Sequence, residues 1–280
     1  MTGAGKGADH TMSEGNTLRP DRRCTGVQAV MINYIGYNRV NNEDNCCIND
    51  FTIHLEQMNH NVSCATTERG QNHLFGVFDG VGGDARGEVA SCCAARFFAD
   101  NRQAVLEDCA SPERMAAWFR AAHQAVRGAA GDSGTTATLL GIRGATAYLA
   151  NVGDSRAYFL HDGLLEQLSR EHTWAAELGG APDGPGAHAI LRYLGGSEEA
   201  GAVYEPYCAP GLPLESGDVF LLCSDGLTDM VADEEIRRIL LTVPDRKEAA
   251  SALVHAALQG GGTDNITVLL MQVAFIEEST

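Results

Sequence analysis

Short apolar runs punctuated by Gly, Asp and Asn dominate the chain, and apolar residues recur at helical spacing in only a few stretches. Runs at 27–34, 46–55 and 73–78 predict strands, and two helices are predicted over 88–108 and 112–129. The second helix carries its apolar stripe on Met115, Trp118, Phe119, Ala122 and Val126. A meander of short strands follows at 135–142, 145–151, 157–161 and 164–167, with Gly144 and Asp162-Gly163 as turns. The segment 169–205 is rich in Gly, Pro and Ala, lacks clear periodicity and reads as a surface excursion. A buried strand at 219–223, helices at 233–241 and 246–258 and a strand at 266–275 close the pattern. Strands joined by hairpins, with helices in pairs, predict an α+β fold of antiparallel sheets faced by helices rather than repeated βαβ units. Residues 1–24 have no aromatic or β-branched apolar side chain and are expected to form a mobile tail, leaving 25–276 as a single domain.

Composition narrows the partners. The chain has 280 residues, 44% hydrophobic and 20% charged, ordinary values for a soluble globular protein. Its formal charge of -17 repels nucleic acid and anionic membranes, so neither is expected as a partner. No apolar run reaches the roughly 18 residues of a spanning helix, and no signal-peptide pattern opens the chain. The expected location is the cytoplasm. The 9 cysteines are odd in number and contain no C-x-x-C, which argues against a disulfide framework or a zinc site.

The stretch Val77-Phe-Asp-Gly-Val-Gly-Gly-Asp-Ala85 permits two readings. Gly80, Gly82 and Ala85 satisfy the minimal dinucleotide fingerprint between a strand and a helix. Asp79 at the strand tip repels phosphate unless a cation stands between them. The predicted order weighs against the nucleotide reading, since a second helix follows the first where that fingerprint requires a parallel strand. Other acidic groups stand at strand ends beside turns: Glu43-Asp44, Asp225-Gly226 and Asp264-Asn265. Each alone is more often a turn former. Together they are short oxygen ligands on rigid strands, suited to Mg2+ or Mn2+, and Arg39 is a cation able to grip two phosphate oxygens.

At this point the motifs resemble a known family, the metal-dependent serine/threonine protein phosphatases (PPM, type 2C), most closely their compact bacterial members. The motifs are Arg39-Val-Asn-Asn-Glu-Asp44, Phe75-Gly-Val-Phe-Asp-Gly-Val-Gly-Gly83, Ser133-Gly-Thr-Thr-Ala137, Ala150-Asn-Val-Gly-Asp-Ser-Arg156, Leu222-Cys-Ser-Asp-Gly-Leu-Thr-Asp229 and Gly262-Thr-Asp-Asn-Ile-Thr-Val268. The resemblance implies a four-layer α-β-β-α sandwich with two antiparallel sheets and a flap over 169–205. It implies two Mn2+ or Mg2+ ions, with Asp79 bridging them, Asp225 and Asp264 on one, and Glu43 and the Gly80 carbonyl on the other. Asp44 orients water, Arg39 binds substrate phosphate, and Asp132 lies where a third, weaker ion is held. The implied activity is hydrolysis of phosphoserine and phosphothreonine in proteins by a metal-bridging hydroxide, without a phosphoenzyme. A monomer opposing a serine/threonine kinase in signalling is expected. A pseudophosphatase binding module of the same fold is the alternative.

Where many eukaryotic relatives carry histidine after the Asp-Gly, this chain has Val81. Ser155 lacks a histidine base at recognisable spacing and reads as part of a strand turn. Asp154 and Arg156 read as a structural polar pair, and Asp229 as a brace for the turn after Asp225.

Overall fold

Alternation along 266–275 shows why the chain stacks in layers. Leu269, Met271 and Val273 enter one core, while Val268 and Leu270 enter another. Successive side chains of a strand point to opposite faces, so a strand apolar on both must be covered on both. The computed structural model describes residues 24–82, 86–179, 186–196 and 204–275.

In chain order, β1 (Cys24–Tyr34), β2 (Asp44–Ile48), β3 (Phe51–Thr52), β4 (Val62–Arg69) and β5 (Asn72–Val81) precede α1 (Gly87–Asp100), α2 (Arg102–Asp108) and α3 (Pro112–Ala130). Strands β6 (Gly134–Thr135), β7 (Ala137–Arg143), β8 (Thr146–Val152), β9 (Arg156–His161) and β10 (Leu164–Gln167) follow. After α4 (Trp174–Leu178) come β11 (Leu194–Gly195), β12 (Tyr207–Cys208), β13 (Leu212–Pro213) and β14 (Val219–Cys223). Helices α5 (Asp225–Thr228), α6 (Asp233–Thr242) and α7 (Arg246–Gln259) lead to β15 (Ile266–Phe275).

One sheet runs β10-β9-β14-β15-β1-β4, the other β11-β6-β5-β7-β8-β12, with β2 also on β5, β3 on β2 and β13 on β8. The pairings are antiparallel. Val27, Met31, Phe75, Val77, Leu269 and Met271 fill the space between the sheets. Leu74, Phe78, Phe98 and Phe119 pack α1 and α3 onto the second sheet, and Leu221, Ile236, Leu253 and Leu270 pack α6 and α7 onto the first. The layer order is the expected α-β-β-α.

Several predicted boundaries move. The strand predicted over 46–55 stops at Ile48, because Asn49 turns at φ 54 while exchanging backbone and side-chain bonds with Leu74. The helix predicted over 88–108 is two helices. Asn101 leaves the helical conformation and caps α1 by donating to the Phe97 carbonyl at 2.8 Å. The sequence pattern does not predict β4: in Val-Ser-Cys-Ala-Thr-Thr-Glu-Arg no residue is fully buried, and only Val62 and Cys64 reach the core beside the ladder that β4 makes with β1 at the sheet edge. The excursion at 169–205 is tied down in part, since α4 is capped by Thr173 and β11 pairs with β6. The expected tail overlaps the first residue of β1 at Cys24, and its remainder, 1–23, lies outside the described residues.

Candidate active site

Antiparallel pairing gathers the acidic strand ends at one end of the sandwich. Asp44 opens β2 directly opposite Asp79, near the end of β5. In the other sheet β14 ends at Cys223 opposite Val268 of β15, which brings Ser224-Asp225 beside Asp264-Asn265. Close backbone contacts lock these ends together. A Cβ on Gly80 would meet the Gly87 carbonyl oxygen at 2.5 Å and the Glu43 carbonyl oxygen at 2.8 Å, and one on Gly226 would meet the Asn265 carbonyl oxygen at 2.0 Å. Glycine after Asp79 and after Asp225 is thus required by space, not by φ.

Asp44 joins the sheets. Its Oδ2 accepts from Ser224 Oγ at 2.6 Å and from Thr267 Oγ1 at 2.7 Å. Thr267 Oγ1 accepts from Asn33, whose Oδ1 accepts from Asn42. Burial pushes Asp44 up to about 7 despite those two hydroxyls, with Asp225 and Asp264 adding repulsion. Asp79 has its backbone fixed by Thr135 and Thr136. Burial, then the charges of Asp44, Asp225 and Asp154, raise its carboxyl well above the usual range. Burial and Asp264 raise Asp225 to about 6, and a hydrogen bond with Asp79 partly offsets this. Glu43 is raised by burial and by Glu88 against a hydrogen bond from Asn41.

The loop before β2 holds Arg39, whose Nη2 lies 2.5 Å from Asp264 Oδ2. Asn265 anchors that loop. Its Nδ2 donates to the carbonyls of Ile35 at 2.9 Å and Asn41 at 3.1 Å, and its Oδ1 accepts from Glu43 N at 2.8 Å.

The structure thus brings together Arg39, Glu43, Asp44, Asp79, Gly80, Asp225 and Asp264. Asp132 stands apart, exposed in the turn between α3 and β6. Val81 pairs with Gly134 of β6 beside the site. Ser155 is buried and bonded to Thr136 Oγ1 at 2.8 Å, as expected of a strand turn. One expectation fails: Arg156 does not pair with Asp154. Its Nε lies 2.5 Å from Glu171, its Nη1 donates to Tyr158 at 3.0 Å, and Asp233 is 3.5 Å away. Asp154 Oδ1 is buried with no hydrogen-bond partner among the described residues. Sequence reading also missed Ser224, Thr267 and Asn265 as site residues. The available signal was position, because each lies within three residues of a strand-end carboxylate.

Clustered carboxylates raised by burial and mutual repulsion, with Arg39 facing them, fit a divalent cation: all donors are oxygen, and only added positive charge relieves the repulsion. Among the described residues no three His, Cys, Asp or Glu side chains converge as a ready-made ligand set.

Comparison with known proteins points the same way. The family model for protein phosphatase 2C matches residues 36–178. The serine/threonine phosphatase stp of Listeria monocytogenes is 34% identical over 219 residues, covering 70% of this chain and 82% of that protein. The serine/threonine protein phosphatase PstP of Mycobacterium tuberculosis is 34% identical over 219 residues, or 71% of this chain, which spans only 40% of that longer protein. The crystal structure of a PstP catalytic domain in complex with two manganese ions aligns with a TM-score of 0.66 at 31% identity, covering 89% of this chain and 99% of that one.

Proposed function

Because this chain belongs to the protein phosphatase 2C family, we propose that it is a Mn2+- or Mg2+-dependent phosphatase of phosphoserine and phosphothreonine in proteins. The observation that carries this reading is the meeting of Asp44, Asp79 and Asp225 with Glu43, Asp264 and Arg39 at one end of the sandwich. Asp79, Asp225 and Asp264 would hold one ion, and Asp79, Glu43 and the Gly80 carbonyl the other. A third, weaker ion is assigned to the exposed Asp132. When bound, the ions supply Lewis acidity, which lowers the pKa of water and offsets phosphate charge.

The chain's own groups do the rest. Arg39 binds two phosphate oxygens and fixes the phosphorus in position. Asp44, held by Ser224 and Thr267, accepts a hydrogen bond from the attacking water and orients it for in-line displacement. Val81 cannot donate a proton, so the departing serine or threonine oxygen takes its proton from solvent. Aryl phosphates, whose leaving oxygen needs little protonation, are therefore hydrolysed relatively well. We place the protein opposite a serine/threonine kinase in cytoplasmic signalling. Among the described residues no helix is long and apolar enough to cross a membrane.

The deciding assay is release of phosphate from phosphoserine and phosphothreonine peptides and from an aryl phosphate. Activity should vanish with EDTA and return with millimolar Mn2+. Full activity in excess chelator, or no turnover of any phosphoester with Mn2+ bound, would refute the proposal.

A further inference from the structure

Arg39 is assigned to phosphate and Asp264 to a cation, yet the two side chains occupy each other. Arg39 Nη2 lies 2.5 Å from Asp264 Oδ2, and Asp264 Oδ1 accepts from the Asn265 N–H at 2.7 Å. Both carboxylate oxygens of Asp264 are engaged, and the guanidinium is turned onto a ligand position rather than held open.

The backbones beneath this pair are pinned. Asn265 ties the Arg39 loop at Ile35, Asn41 and Glu43. Tyr37 N donates to the Gly262 carbonyl at 2.7 Å. Gly36, at φ +82, is so close to the Asp264 carbonyl oxygen that a Cβ would lie 2.1 Å from it. The side chains themselves are less confined, with 49% of Arg39 and 32% of Asp264 exposed. Swinging the guanidinium away is therefore the inexpensive motion, and moving either backbone is not.

Resting on the phosphatase reading above, we propose that the Arg39–Asp264 ion pair is a latch, in which Arg39 occupies Asp264 until a divalent cation displaces it and thereby frees the guanidinium for phosphate. Cation loading and assembly of the phosphate-binding arm are then one event, in the order cation first and phosphoester second. A partly exposed ion pair is weak, so the latch biases the order without blocking the cation.

The test reads binding and needs no turnover. Mn2+ is titrated calorimetrically into the full chain, with thermal melts confirming that each variant folds. Arg39→Gln should tighten the Mn2+ site that includes Asp264 about two- to five-fold, the scale of such a pair. Arg39→Lys keeps the charge but loses the planar fork, and should show part of that gain. Unchanged or weaker Mn2+ binding in Arg39→Gln overturns the latch. A gain in the Gln variant with none in the Lys variant marks a diffuse charge effect and overturns it as well. In EDTA, Asp264→Asn should bind inorganic phosphate more tightly than the wild type by about two-fold or more, and adding Arg39→Gln should remove that gain. A gain that survives the double substitution refutes the latch. Wild-type protein that binds no Mn2+ would overturn the phosphatase reading along with it, whereas the variant comparisons remove the latch alone.

Discussion

Asp79 and Asp44 face one another across paired strands, but their surroundings assign them different work. Asp79 lies against Asp225 with no hydroxyl donor to its carboxylate among the described residues, while Asp44 has one oxygen filled by Ser224 and Thr267. Asp79→Asn should therefore remove more kcat than Asp44→Asn, whose cost is expected near the about 10–100-fold typical of groups that position a metal site from behind. Steady-state hydrolysis of an aryl phosphate at saturating Mn2+ checks this, and equal losses contradict it. Asn265 supports a second prediction. Truncation to Ala leaves the Glu43 N–H and the carbonyls of Ile35 and Asn41 without their partner. It should cost about 2–3 kcal/mol of stability in denaturant unfolding and raise KM through Arg39. The strand-end aspartates were legible in the sequence because each stands beside a turn. Asn265 was not, because its partners lie as far as 230 residues away in the chain.

At the scale of elements, the site depends on how closely β14, α5 and β15 meet. Gly226 is the position that shows it. A methyl there would sit 2.0 Å from the Asn265 carbonyl oxygen, a backbone atom that cannot rotate aside. Gly226→Ala should destabilise the fold by about 1–3 kcal/mol and weaken Mn2+ binding together, by separating Asp225 from Asp264. Unchanged melting and calorimetric affinity would show that the contact relaxes freely. The strands with two apolar faces, such as β5 and β15, announce themselves in the sequence through composition. Strand β4 does not, since at the sheet edge its inner face is only half-buried and partly polar. The break at Asn101 was likewise hidden, because the apolar spacing continues across it from Phe98 to Val105 and Leu106.

For the whole molecule, the carboxylate cluster is a stability cost that cations relieve. Burial raises Asp44 to about 7 and Asp225 to about 6, so the folded state holds protons that the unfolded chain releases near pH 4. That contribution is present below about pH 4 and is lost as pH rises through the raised values. His172 acts oppositely: burial lowers it to about 4, so it favours folding as pH rises, but only up to its ordinary 6.5. Between about pH 6.5 and 8 His172 no longer opposes the carboxylates, and His161, raised by its hydrogen bond with Asp218, loses its contribution in the same direction. The melting temperature in EDTA should fall over that window, and saturating Mn2+ should flatten the slope. A flat profile in EDTA would show that the carboxylates do not repel one another as described. The sequence alone determined the layered antiparallel fold, because burial on one or two faces imposes a local period of two or 3.6 on each element. It also determined which carboxylates stand at strand ends, because Gly, Asn or Asp must mark each turn. The tertiary structure decided the partners: Arg39 on Asp264, Arg156 on Glu171 instead of Asp154, and Asp44 bridging both sheets. Those contacts follow from strand register and from how one sheet lies over the other, and no local pattern encodes either.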